Sequence, residues 1–283
     1  MNLKQQRIDQ FQRDGLTFDV IDSGPLDGKP TVLLHGFPET AQSWTDTATY
    51  LNAHGFRTYA INQRGYSLGA QPKSRSAYRS AKLVADVHAF LNMINEPVYL
   101  VGHDWGAVVA WDVALSHPNQ IQHLTAISVP HKAAFLKSML SSNQLFKSYY
   151  MGLFQLPKIP ELLFEKFPHI GRSLLKSTGM TEHQLNDFQK DIVGAKRLTG
   201  ALNWYRGIPF SSNRSLKQKV TVPTLFIWGK YDSAVGQKSV ELNKDYMDAP
   251  YTEIILDATH WIPTQNAKQL SELIIENITK TQN

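Results

Sequence analysis

The stretch Gly102-His103-Asp104-Trp105-Gly106-Ala107 sets an aspartate between two glycines, just after the apolar run Val98-Tyr99-Leu100-Val101. Small residues two before and two after allow a sharp strand-to-helix turn, which lifts the central side chain above the sheet edge. That side chain then sits beside the positive end of the next helix. The usual occupant is serine; here it is a carboxylate, and the chemistry it points to is nucleophilic catalysis through an acid anion. Alone, G-x-D-x-G reads as readily as a loop aspartate capping the next helix. Other strand ends add to it. His35-Gly36-Phe37-Pro38-Glu39 closes an earlier strand, where a backbone N–H is available to an oxyanion, and the N–H of Trp105 is a second donor. Asp232 follows the strand ending in Ile227-Trp228-Gly229, and His260 follows the strand ending in Leu256-Asp257. Nucleophile, acid and histidine thus come in the chain order of a hydrolytic triad. One of ten histidines after a strand means little; the conjunction of all these elements means more. The strand over 121–129 ends in Val129-Pro130-His131 and offers no competing carboxylate.

The elements that must position these groups are legible in the hydrophobic pattern. Leu16 to Ile21 alternates as a strand, and a Gly24/Pro25/Asp27/Gly28 turn cluster follows. Thr31-Val32-Leu33-Leu34 is a continuous apolar run, as in a strand buried on both faces. A helix over 41–53, a strand over 57–61 and a helix over 77–94 lead to the strand before Asp104. Helix 108–115 and strand 121–129 come next. At Pro130 the alternation stops, and residues 131–216 carry helix-like runs without a strand. Strand signals resume at Val222 to Trp228, and helix 235–246, strand 251–256 and an amphipathic helix over 266–278 complete the chain. The rhythm predicts an α/β fold with a mostly parallel sheet and helices on both faces. Residues 1–130 and 217–283 form the core, and 131–216 form an inserted helical lid.

Hydrophobic residues at 42% and charged residues at 19% are an ordinary globular balance. No cysteine occurs, which excludes disulfides and thiolate chemistry and agrees with a cytoplasmic home. The polar start, Met1 to Arg7, leads into no apolar run, so no signal peptide is expected. No stretch approaches the roughly 18 apolar residues of a membrane span. The net charge of +5 is uneven, with 14 Lys or Arg against 5 Asp or Glu between residues 131 and 220. Such a segment attracts acidic substrates or membrane surfaces, but dispersed lysines more often form a solvated face, and that is the expectation. Without aromatic interleaving, nucleic-acid binding is not expected. Metal-ligand spacings, phosphate loops and dinucleotide fingerprints are missing, so water is the only cosubstrate expected and no cofactor.

His35-Gly36-Phe37-Pro38-Glu39, Gln63-Arg64-Gly65-Tyr66-Ser67, Gly102-His103-Asp104-Trp105-Gly106 and Leu202-Asn203-Trp204-Tyr205-Arg206 together resemble the epoxide hydrolase branch of the α/β-hydrolases. The likeness covers nearly the whole chain and includes Trp44 and Phe154-Gln155-Leu156-Pro157. It implies an α/β-hydrolase fold and an alkyl-enzyme ester on Asp104, formed by displacement at an sp³ carbon. Water activated by His260, with Asp232 orienting the imidazole, then attacks the carbonyl carbon of that ester. The N–H groups of Phe37 and Trp105 form the oxyanion hole. Tyr205 matches a lid tyrosine that donates a proton to the epoxide oxygen.

Two positions depart from the branch. The second lid tyrosine is expected at Leu153, one helical turn after Tyr149 and Tyr150, which are the candidates to replace it if the segment is helical. Asn62 stands where an acidic residue usually precedes Gln-Arg-Gly-Tyr. Haloalkane dehalogenases share the aspartate, but the asparagine they place after His-Gly is Phe37 here, and Trp204 beside Tyr205 points elsewhere on a helix. Fluoroacetate-type dehalogenases carry arginines where this chain has Trp105 and Val108. A third reading is a non-catalytic ligand-binding relative. Tyr150, Leu153 and Trp204 are the candidate substrate contacts, and the apolar lid residues Phe135, Leu136, Leu145, Phe146, Leu153 and Phe154 suggest a small hydrophobic substrate or a lid core.

Overall fold

The alternating signals become one eight-stranded sheet in the computed structural model, which describes residues 6–282. Residues 1–5 of the polar opening stretch lie outside the described residues. The strands are β1 (Gln10–Arg13), β2 (Leu16–Ser23), β3 (Lys29–Leu34), β4 (Phe56–Ile61), β5 (Val98–His103), β6 (Ile121–Ile127), β7 (Thr224–Gly229) and β8 (Tyr251–Leu256). Their order across the sheet is β1-β2-β4-β3-β5-β6-β7-β8. The first two pairings, β1 with β2 and β2 with β4, are antiparallel, and all others are parallel. Because β3 lies between β4 and β5, the chain reverses its direction of travel across the sheet there. Open α/β sheets place their ligand crevice at such a point.

Helices α1 (Thr45–Ala53), α2 (Ser80–Ile94) and α3 (Trp105–Ser116) connect the early strands. Strand geometry sends successive side chains to opposite faces. Val32 and Leu34 accordingly join the core with α2 and α3, while Leu33 joins a second core with α1 and the C-terminal helix. Both faces are covered, which explains the unbroken apolar runs of β3 and β5.

Between β6 and β7 the described chain is helical: α4 (Lys132–Ser141), α5 (Gln144–Lys147), α6 (Tyr149–Gln155), α7 (Ile159–Lys166), α8 (Pro168–Lys176), α9 (Glu182–Asp187) and α10 (Leu198–Gly207). A π-helical turn, Phe188–Gly194, joins the last two. The core closes with α11 (Gln237–Glu241), α12 (Ile262–Gln265) and α13 (Ala267–Gln282).

Differences from the sequence reading have local causes. β1 has no hydrophobic signal of its own; it is the outer half of a hairpin turned at Asp14-Gly15, both at positive φ, and that dipeptide was its available signature. The helix expected over 235–246 breaks after α11. Buried Asn243 turns its amide inward there, accepting the His131 N–H at 2.8 Å and donating to the Tyr251 hydroxyl at 3.0 Å. Among the described residues no helix is long and apolar enough to cross a membrane.

Candidate active site

Asp104 joins β5 to α3 with φ 51° and ψ −118°, a left-handed backbone that a β-substituted residue adopts only under constraint. The constraint is close packing. A Cβ on Gly106 would run into the Leu34 carbonyl, and one on Gly36 would run into the Asp104 side chain. The Phe37 N–H donates to Asp104 Oδ1 at 2.8 Å. Trp105 is the first residue of α3, so its N–H has no acceptor within the helix. Of the two expected donors, the Phe37 N–H binds the carboxylate, and the Trp105 N–H is left free by the helix it begins. The loop carrying Phe37 is itself tied down: Gln63 Nε2 donates to the His35 carbonyl at 2.6 Å, and Asn62 Oδ1 accepts the Ala41 N–H at 2.9 Å. Asn62 thus serves this loop through an amide oxygen.

The turns after β7 and β8 bring Asp232 and His260 to the same edge. His260 Nδ1 lies 2.7 Å from Asp232 Oδ2, and Nε2 lies 3.6 Å from Asp104 Oδ2. Asp232 Oδ1 accepts the N–H groups of Ala234 and Val235 at 2.8 and 2.9 Å. The His260 carbonyl is held by the Ser128 hydroxyl at 3.0 Å and by His103 Nε2 at 2.9 Å. Burial by itself would lower the His260 pKa; the carboxylates of Asp232 and Asp104 outweigh it and raise it to about 10. Burial likewise opposes ionisation of Asp104, but His260, His103 and the Phe37 N–H hold its pKa below the usual carboxylate value. The His260 imidazole thus lies between the side chains of Asp232 and Asp104.

Asp104 opens into a cavity of about 190 Å³ whose lining is mostly apolar, with Val108, Val129, Phe135, Leu136 and Met151 among its walls. Trp105, Tyr150, Trp204 and Tyr205 also line it. The Tyr150 and Tyr205 rings lie 6.0 Å apart, and Tyr205 packs edge-on to Trp105 and Phe37 at 5.1 and 5.3 Å. Burial, with Asp104 nearby, raises the pKa of both phenols, so both keep their protons. Tyr149 points outward and is 65% exposed.

One expected contact needs correction. Leu153 is not part of the cavity lining; it packs half-buried against the core. At about 100° per residue, Leu153 lies roughly 110° round α6 from the midpoint of Tyr150 and Met151, which do face the cavity. Trp204 does line the cavity with its ring, but its indole N–H donates to the Arg64 carbonyl at 2.6 Å and faces away. Of the apolar lid residues, Phe135 and Leu136 line the cavity and Phe154 is lid core, whereas Leu145 and Phe146 are on the surface.

The profile described as alpha/beta hydrolase fold matches residues 29–267. The chain is 34% identical over 278 residues to "Epoxide hydrolase 3" of Xenopus tropicalis, covering 94% of this chain and 75% of that one. It is 31% identical over 281 residues to "Epoxide hydrolase 4" of Mus musculus, with 94% and 77% covered. Among solved structures, a variant of a potato epoxide hydrolase superposes with a TM-score of 0.81 at 25% identity, over 96% of this chain and 98% of that one. This chain belongs to the epoxide hydrolase-like branch of the α/β-hydrolase family.

As an α/β-hydrolase it carries supports that sequence reasoning missed. Gln144 on α5 donates to the Ala234 carbonyl at 2.7 Å and accepts the Gly236 N–H at 2.7 Å. Lys147 donates to the Asp232 carbonyl at 3.1 Å. Two residues of the inserted helices therefore grip the loop bearing Asp232. No motif marks them, because the bonds go to backbone atoms about 90 residues away.

Proposed function

We propose that the protein hydrolyses small hydrophobic epoxides to vicinal diols through an ester on Asp104. The observation that carries this is one cavity lined by Asp104, Tyr150 and Tyr205 together. Asp104 Oδ1 is occupied by the Phe37 N–H, which leaves Oδ2 to attack an epoxide carbon. The C–O bond breaks as the carbon–Oδ2 bond forms, and the phenols of Tyr150 and Tyr205 supply the hydrogen bonds and proton that the leaving alkoxide needs. Tyr150 takes the part of the tyrosine missing at Leu153.

Ester formation removes the charge of Asp104, one of the two carboxylates that hold the His260 pKa up. The imidazole then releases its proton more readily, returning it to the phenolate left by ring opening, and becomes the base for water, with Asp232 orienting it. Water adds to the Asp104 carbonyl carbon, and the N–H groups of Phe37 and Trp105 stabilise the oxyanion on Oδ1. Collapse frees the diol and restores the carboxylate. Residues 131–216 act as the lid of this site over a core of 1–130 and 217–283. A cytoplasmic home, expected from the cysteine-free sequence, is part of the same proposal.

A haloalkane substrate is disfavoured because the Trp204 N–H is already bonded to Arg64, leaving Trp105 without a second indole donor for halide. The test is intact-protein mass spectrometry of His260→Gln with styrene oxide. A mass gain equal to the epoxide, lost when Asp104→Ala is added, is the expected result. Diol formation without any adduct on Asp104 would overturn the mechanism.

A further inference from the structure

Neither the basic surplus of the inserted helices nor the apolar side chains on their outer surface have a part in the chemistry above. Leu140 is 94% exposed and Phe210 53%. Isolated apolar residues are common on soluble surfaces, but these are grouped round the mouth of the cavity. Leu136 and Ile208 are both exposed and both line the cavity. Leu140 lies one turn beyond Leu136 on α4, and Phe210 ends the short helix Ile208–Phe210. The next short helix, Arg214–Lys217, packs against α4, which brings Arg214 and Lys217 to the same rim. Lys132 and Lys137 of α4 are matched by Asp112 and Asp245. No ion pair among the described residues involves Arg214 or Lys217, and both are exposed.

We infer that this rim docks on an anionic bilayer surface, with Leu140 and Phe210 entering the headgroup–acyl boundary and Arg214 and Lys217 facing lipid phosphates. Charge complementarity selects this occupant. Residues 131–220 hold 14 basic against 5 acidic side chains, while the rest of the chain holds 15 against 19. A second copy meeting the rim symmetrically would set the same two cations against themselves. Peripheral binding of this kind combines apolar burial with attraction to anionic headgroups. The cavity mouth then faces the phase in which an apolar substrate concentrates.

Flotation of the whole protein with vesicles of phosphatidylcholine, with or without phosphatidylglycerol, tests this. Binding to the mixed vesicles is expected, and it should weaken as NaCl rises. Leu140→Ser/Phe210→Ser and Arg214→Glu/Lys217→Glu should each lower the partition about tenfold or more. All four positions are exposed and none lines the cavity, and thermal melting followed by circular dichroism checks the fold. The charge pair carries the test by itself if the apolar pair misfolds. No binding to mixed vesicles at low salt, equal binding to neutral ones, or wild-type binding by the charge variant overturns the inference. So does a dimer in light scattering that these variants dissolve. Binding is read without substrate, so the result does not depend on the reaction assigned to Asp104.

Discussion

The two sides of the cavity are built on different rules. Asp104, Asp232 and His260 follow the ends of β5, β7 and β8, and each is held by hydrogen bonds of 2.7–3.2 Å to neighbouring backbone or side chains. Tyr150 and Tyr205 come from α6 and α10 and are placed chiefly by ring packing, with centroid separations of 5.0–6.2 Å to their aromatic neighbours. A strand end tolerates almost no shift, because one residue of slippage turns the side chain to the other face. On a helix a phenol can be supplied from the adjacent turn, since positions three apart share a face. The strand-borne side is therefore exacting in sequence position, and the helix-borne side is permissive.

The sharpest break in that contrast would be a mild Asp104→Ala. Loss of turnover by about 10⁴-fold or more is expected, as for a nucleophile that acts as one unit with its base; steady-state diol assays measure it. His260→Gln should slow turnover by about 10³-fold while leaving ester formation visible in a single-turnover burst. On the other side of the cavity, Tyr205→Phe and Tyr150→Phe should each slow ring opening by about 10²-fold. Tyr149→Phe should stay within about twofold, as its exposed ring reaches nothing in the cavity. If Tyr149 rather than Tyr150 proved sensitive, the permissive side would have to be rebuilt from another turn of α6.

The strand-borne groups were readable in advance because glycine spacing, strand ends and chain order all restrict the same few positions. The segment between β6 and β7 was readable only as helical. Tyr149 and Tyr150 were indistinguishable by sequence, since choosing between them requires the rotation of α6, which its packing against α10 decides. Leu153 was misjudged for the same reason. Trp204 lines the cavity with its ring, while its N–H is used by the Arg64 carbonyl. Strand β1 escaped because its signal lay in the turn, not in the strand.

The ion-paired centre adds a test of smaller amplitude. The His260 pKa lies above its ordinary 6.5, so its pairing adds stability that is fully present below that pH and is lost as pH rises through about 10. Asp104 has the opposite sign: its contribution is present above its ordinary 3.8 and is lost as pH falls through the depressed value. Melting temperatures of the wild type and His260→Gln, compared from pH 6 to 11 in roughly unit steps, should therefore converge toward the alkaline end. Gln144→Ala should cost about 1–3 kcal/mol in chemical denaturation, through the amide and carbonyl it leaves unpaired.

That glutamine also bears on how such enzymes can be recombined. An inserted domain invites transplantation, with one lid exchanged for another to alter substrate range. Here the incoming helices would have to bring a side chain that rebinds Ala234 and Gly236, or the graft would fold and still leave the loop behind His260 slack. A chimaera with a foreign lid should regain turnover when glutamine is restored at position 144, before any residue facing the cavity is changed.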